Sequence, residues 1–202
     1  SQLEYSKDKL SAFVSLSASN TSYKRVDYFN YLDSDPLQET DATNFFAYGA
    51  KGGANYNIND NHNVFANFGY FEKAPFFRSI YPRFNNEDIN EDAENQKITS
   101  FELGYGFRGE KLSANINVYH TTWNDRTEIA SFQRQDGTLA FANILGVNAL
   151  HKGIELDFVY RATDNLKLTG MASIGDWRWK NNVEGVEIRD EEQNVIEVVD
   201  IL

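Results

Sequence analysis

The chain contains no cysteine. That excludes a disulfide framework and thiol chemistry, and it leaves the compartment open. Only three prolines occur in 202 residues, so long uninterrupted strand ladders are allowed. No apolar run reaches the roughly 18 residues of a membrane-spanning helix. This excludes helical spans but not strands, which cross hydrocarbon with about ten residues, every second one apolar. Positive charge is also scarce: 19 Lys and Arg against 30 Asp and Glu give a net charge of −11. Such a balance argues against nucleic acid as a partner, which needs clustered basic residues, and against electrostatic docking onto anionic lipid. No signal peptide is visible, and the Ser1–Gln2 start reads as an internal cut or a mature end.

Aromatic residues are plentiful instead. They make up 14% of the chain, with 11 Tyr and 15 Phe, which argues against disorder and favours strands over helices. Short polar turns recur at Lys7–Lys9, Asn59–His62, Gly109–Lys111 and Ala162–Asn165. They lie about 50 residues apart, and each interval holds a strand, a long polar stretch and a returning strand. The long stretches are Asn30–Asn44, Glu72–Gln96 and Asn124–Lys152. Tight turns on one edge of a sheet and long loops on the other form the layout of a bacterial transmembrane β-barrel.

Between the turns, side chains alternate with the period of two that marks a strand. Ala12, Val14, Leu16 and Ala18 share one face; Ser11, Phe13, Ser15, Ser17 and Ser19 share the other, and Tyr23–Phe29 extends the run. Tyr48, Ala50, Gly52, Ala54 and Tyr56 oppose Lys51, Asn55 and Asn57, and the Asn59–His62 turn leads into Val64, Ala66, Phe68 and Tyr70. Two alternating runs around a short Asn/Asp turn predict a hairpin. The same pattern recurs over Ile98–Arg108 with Leu112–Tyr119, and over Ile154–Tyr160 with Leu166–Ile174. About seven long strands are expected, with a partial one at Leu3–Tyr5. Tyr56, Tyr70, Phe107, Tyr119, Trp123, Tyr160, Trp177 and Trp179 fall near strand ends and read as rings at headgroup level. Residues 183–202 read as an unfinished, acidic loop-and-strand region. A large soluble sandwich would alternate in the same way. A soluble β-rich carbohydrate-binding module therefore stays open, as does an outer-membrane enzyme barrel.

Three stretches carry a resemblance. Val64–Tyr81 reads VFANFGYFEKAPFFRSIY, Thr99–Thr122 reads TSFELGYGFRGEKLSANINVYHTT, and Gly146–Gly175 reads GVNALHKGIELDFVYRATDNLKLTGMASIG. In their order and spacing they resemble the TonB-dependent outer-membrane receptors, especially the type found in Bacteroidetes. The resemblance implies an all-β fold, an antiparallel transmembrane β-barrel segment with short periplasmic turns and long extracellular loops. It would be the C-terminal part of a roughly 22-stranded barrel, with residues 1–202 as a partial barrel domain and the plug domain absent from them. It further implies TonB-dependent uptake of a scarce nutrient (iron chelate, cobalamin, glycan or peptide) across the cell outer membrane. The implied partners are the plug of the same parent chain, TonB acting through that chain, the nutrient, outer-membrane lipid and a surface lipoprotein. No cofactor is implied.

Candidate site residues follow from the loops and the polar strand faces. Glu72–Gln96 is the preferred recognition loop, because aromatic platforms and Arg forks suit sugars or anionic chelates; its candidates are Phe77, Arg78, Tyr81 and Arg83. Trp123, at the entry to Asn124–Lys152, and Arg126 within it are the next candidates; that stretch also carries an Asp136–Gly137 hairpin turn, and Asp125 is expected to pair with Arg126. Glu102, Glu155, Asp157 and Lys167 are expected to face the lumen and the plug. His62, His120 and His151 show no metal-ligand spacing. No Gly-x-Ser-x-Gly elbow or other catalytic constellation is present, so an enzyme is not expected.

Overall fold

The computed structural model describes residues 1–81, 86–87, 89–192 and 194–201. The strands are β1 (Gln2–Lys7), β2 (Leu10–Tyr23), β3 (Thr43–Asn57), β4 (His62–Lys73), β5 (Gln96–Arg108), β6 (Leu112–Gln133), β7 (Leu139–Thr163), β8 (Leu166–Trp179), β9 (Val183–Arg189) and β10 (Val195–Ile201). Consecutive strands pair antiparallel from β1 to β7; β8 pairs the lower part of β7 and β9 its upper part. All ten belong to one sheet, which does not close on itself. The only helical pieces among the described residues are a 3-10 turn at Pro36–Gln38 and α1 (Phe77–Ile80). The four expected tight turns are all present on one edge.

Register sorts the side chains into two faces. One row runs Ala12, Ala54, Ala66, Leu103, Val118, Ile154 and Ile174. The next runs Leu10, Tyr56, Val64, Tyr105, Ile116, Leu156 and Ala172. These apolar rows lie bare: Leu103 is 52% and Ile174 74% exposed. No second sheet packs over them among the described residues. A soluble sandwich would bury such rows between two sheets.

The apolar band also drifts across the register. The last exposed large apolar side chain of this face is Leu16 on β2 but Ile154 on β7, and Ile154 is in register with Ala12, four residues lower along β2. At ~3.3 Å per residue and ~4.8 Å between strands, that drift corresponds to strands tilted by roughly 30°, as closure into a barrel requires. The opposite face is polar, with Asn55, Asn63, Asn67, Asn115 and Asn117 among glycines. Asn63 donates to Asn55 at 2.6 Å and Asn115 to Asp157 at 2.9 Å. Gly104 allows the Phe65 ring to lie flat on this wall, since a Cβ there would stand 2.1 Å from Phe65 Cζ.

One expectation needs correcting. Asn124–Lys152 is not a loop. β6 and β7 continue through it as a ribbon, in register from Glu128–Ile144 to Gln133–Leu139, because Ile129, Phe132, Leu139 and Phe141 sustain the strand pattern. The expected turn at its tip is present, with Gly137 at φ 88°. The acidic loop-and-strand region beyond Asn182 carries the β9–β10 hairpin.

Candidate functional site

The long-loop end of the sheet is organised by side-chain hydrogen bonds. Asp27 is buried and accepts from the Phe29 and Asn30 amides, from Asn30 Nδ2 and from Arg25. The Asn30 amide and side chain, then the Phe29 amide and Arg25, hold the Asp27 carboxyl well below the usual carboxylate range. Arg25 also donates to Asn86 at 2.6 Å, and Asn86 donates to the Leu37 and Gln38 carbonyls at 2.8 and 2.7 Å. Tyr23 donates to the Pro75 carbonyl, and the Thr40 and Tyr81 hydroxyls meet at 3.1 Å. Segment 24–42 is thereby stitched to residues 74–81 and to Asn86 in one cap.

Beneath this cap lies a small core of Ile80, Tyr81 and Ala93, packed against Tyr23, Phe45 and Ile89. The Phe77 ring meets Tyr23 and Tyr81 at centroid distances of 5.8 and 4.7 Å. Asn90 and Asn143 both donate to the Ser79 carbonyl, tying α1 to the β7 ribbon. Of the loop candidates, Phe77 and Arg78 are exposed. Tyr81 is 1% exposed and holds the cap from within; its expected contact with ligand conflicts with this burial. Arg83 lies outside the described residues.

The second pair of candidates sits at a β-bulge. The register slips between Trp123 and Arg126, and Asp125 adopts φ 56°. The bulge turns Arg126 onto the polar face, where its guanidinium lies 4.3 Å from the Trp123 ring and 5.2 Å from the Trp179 ring. Trp123 Nε1 donates to the buried Gln96 at 3.0 Å. Asp125 does not pair with Arg126: it pairs with Lys97 at 3.0 Å, while Arg126 pairs with Glu128. Nor do all eight strand-end aromatics form a lipid girdle. Tyr119, Trp123, Trp177 and Trp179 have polar-face parity, in rows with Glu102, Ile98, Thr121 and Ala149. From sequence Trp179 reads only as a headgroup ring, and Gln96 only as the end of a loop. Parity counted from Lys167 along β8 reaches Trp179, but nothing local marks Gln96.

The polar-face candidates spread down the wall. Glu102 accepts from Asn67 at 3.3 Å, Asp157 accepts from Asn115, and Glu155 is exposed one row above Asp157. Lys167 stands apart at the tight-turn edge, in register with Arg161. Between the cap, the ribbon and β9 opens a cavity of about 840 Å³. Glu87, Asp92, Glu94, Asp125, Glu184 and Glu187 line it, with Arg189 bonded to Glu187. Among the described residues, no group of three or more His, Asp or Glu is placed to hold a metal ion.

Comparison with known proteins bears on this architecture. In solved structures, the chain aligns with the "Copper transporter OprC" at a TM-score of 0.69 and 19% identity, covering 94% of this chain and 30% of that one. The chain thus spans less than a third of that transporter, and at such identity the likeness is one of fold. No curated protein matches the chain. The family model described as "TonB dependent receptor-like, beta-barrel" matches residues 1–194. With nearly its whole length covered by that model, and folded as a tilted antiparallel arc, the chain belongs to the TonB-dependent receptor-like β-barrel family.

Proposed function

We propose that this chain is part of the wall and mouth of an outer-membrane receptor for TonB-dependent nutrient uptake. The observation that carries the reading is the uncovered apolar face of a single tilted sheet. In water its rows would be a large aggregation-prone patch; in hydrocarbon they are at home, with backbone groups paired along the ladder. The polar face then borders a lumen filled by the plug of the parent chain, with Glu102, Glu155 and Asp157 toward it. The capped loops form the extracellular mouth, where Phe77, Arg78, Trp123 and Arg126 contact the nutrient. Energy reaches the plug from TonB, and a surface lipoprotein is a further partner. The family's members are receptors and transporters, and we read this chain in the same sense rather than as an enzyme. The copper transporter lends its fold and not its cargo.

Uptake by cells carrying the intact parent receptor tests this. Deleting the receptor abolishes accumulation of one labelled scarce nutrient, and deleting TonB abolishes it equally. Arg78→Ala slows it at sub-saturating nutrient by about tenfold, the scale of an interface hot spot. Accumulation that persists without TonB overturns the reading; accumulation unchanged in Arg78→Ala removes the cap from the recognition site.

A further inference from the structure

All three tryptophans of the chain stand on one side of the wall. Trp177 shares a register row with Thr121 and His151, and Trp179 shares the adjacent polar-face row with Trp123 and Ala149. Both rows lie on the polar face at the long-loop end of β6, β7 and β8. Trp177 is fixed in place. Its Nε1 donates to the Tyr119 hydroxyl at 2.7 Å, and its ring lies across Gly175, where a Cβ would come within 2.7 Å of Cζ2. Trp179 and Trp123 flank Arg126. Even so, Trp177 and Trp179 remain 57% and 52% exposed. Rings on the lumen side cannot anchor the barrel in lipid, and rigid, half-bare indoles are the surface on which ring-shaped ligands stack.

Charge narrows the ligand. The net charge of −11 resides almost wholly at the long-loop end, which repels anions approaching the mouth. Arg126 already fills the cation position over Trp123 and Trp179, so a cationic ligand would have to displace it, and its pairing with Glu128 leaves no bare cation to draw an anion. The rim is hydroxylated or imidazole-bearing: Tyr119, which accepts from Trp177 and keeps its own hydrogen to donate, with Thr121 and His151. We infer that Trp123, Trp177 and Trp179 form a stacking wall for a neutral sugar chain on its way into the lumen. The apolar C–H faces of each pyranose lie on the indoles, and its hydroxyls meet Tyr119, Thr121 and His151. This inference rests on the receptor reading above and names its cargo.

The test uses the intact receptor in detergent, titrated with maltohexaose, cellohexaose and xylohexaose by calorimetry, with a ferric catecholate as an anionic comparison. At least one sugar binds, Trp177→Ala and Trp179→Ala each weaken it by about tenfold or more, and Trp179→Phe recovers most of the loss. The catecholate binds no differently in the alanine variants. If these variants do not assemble, acrylamide quenching of the unmodified receptor decides, since bound sugar must shield indole fluorescence. The inference is overturned if none of the three sugars binds, if affinity is unchanged in both alanine variants, or if quenching is unchanged by sugar. It is also overturned if those variants keep sugar affinity but expose the plug to protease, which would make the wall a plug seat. TonB-dependent uptake of some other nutrient alongside any of these results removes only the cargo; uptake independent of TonB removes the receptor reading itself.

Discussion

The wall and the mouth of this molecule meet along β6 and β7 but are held by different chemistry. In the wall, neighbouring strands exchange backbone hydrogen bonds in long regular registers, fourteen residue pairs between β2 and β3 alone. Side chains there decide mainly which face meets which solvent. In the capped loops of the mouth, ladder pairing among the described residues thins to one isolated bridge between Val26 and Glu39, and the loops are joined to each other and to the ribbon by side chains that reach across 41 to 64 residues, as Thr40–Tyr81 and Asn143–Ser79 do. A wall built this way tolerates any side chain that suits its face. A mouth built this way depends on a few polar atoms.

The largest effect is expected where the wall's face rule is broken. Val118 and Asn117 are neighbours on β6, with Val118 in the apolar row between Leu103 and Ile154 and Asn117 in the polar row between Gly104 and Glu155. Val118→Arg places a cation in hydrocarbon and costs roughly 2–4 kcal/mol at the bilayer midplane. Asn117→Arg meets Glu155 instead and costs much less. Urea unfolding of the intact receptor in bilayers, followed by its heat-modifiable gel mobility, reads the difference. Equal losses at the two positions would mean that the apolar face does not meet lipid.

That asymmetry explains what could be read from sequence. A period of two with tight turns every other strand survives in any single stretch, so the strands, their turns and the polar-face positions of Glu102, Glu155 and Asp157 were legible. Tyr119 was legible too, since it alternates with Ser113, Asn115 and Asn117, and Trp177 follows from Lys167, Thr169, Met171 and Ser173. Their aromatic character at strand ends suggested headgroups, and parity contradicts it. The ribbon was hidden because its polar residues resemble a loop until Ile129, Phe132, Leu139 and Phe141 are paired across it. The mouth was not legible. Nothing near Tyr81 announces Thr40 as its partner, nothing near Asn86 announces the Leu37 carbonyl, and the bulge that swings Arg126 onto the tryptophans appears only once β6 and β7 are in register.

A smaller, local effect is expected from the cap. Because Asn30, Phe29 and Arg25 donate to the ionised carboxyl, the Asp27 pKa is lowered in the folded loop. A group lowered in this way stabilises the fold fully above its unfolded value of about 3.9. That contribution is lost as pH falls from there through the folded value. Amide hydrogen exchange over residues 24–42 and 74–81 is therefore expected to stay slow from neutral pH down to about 4, and to quicken together in both segments below it. Intrinsic exchange rates must be divided out first. Asp27→Asn removes the pH step and leaves both segments looser at neutral pH, with the wall unaffected. Quickening confined to residues 24–42 would show that Arg25 and Asn86 do not join the two loops.

The smallest effect belongs to a pair that looks similar on paper. Lys24 and Glu39 bracket the same loop and form an ion pair, which with the nearby Asp41 raises the Lys24 pKa. Both side chains are about half exposed, so water and salt screen their attraction, and holding two long side chains together costs rotamer entropy. Lys24→Met is expected to leave exchange in residues 24–42 unchanged within error at physiological salt, and to show a slight loosening only at low ionic strength. Asp27 differs because its carboxylate is buried and accepts from two backbone amides, so that losing those bonds leaves a buried acceptor unpaired. If Lys24→Met loosened the cap as much as Asp27→Asn, loop order would depend on net charge rather than on a satisfied buried carboxylate, and the contrast between wall and mouth would have to be redrawn in electrostatic terms.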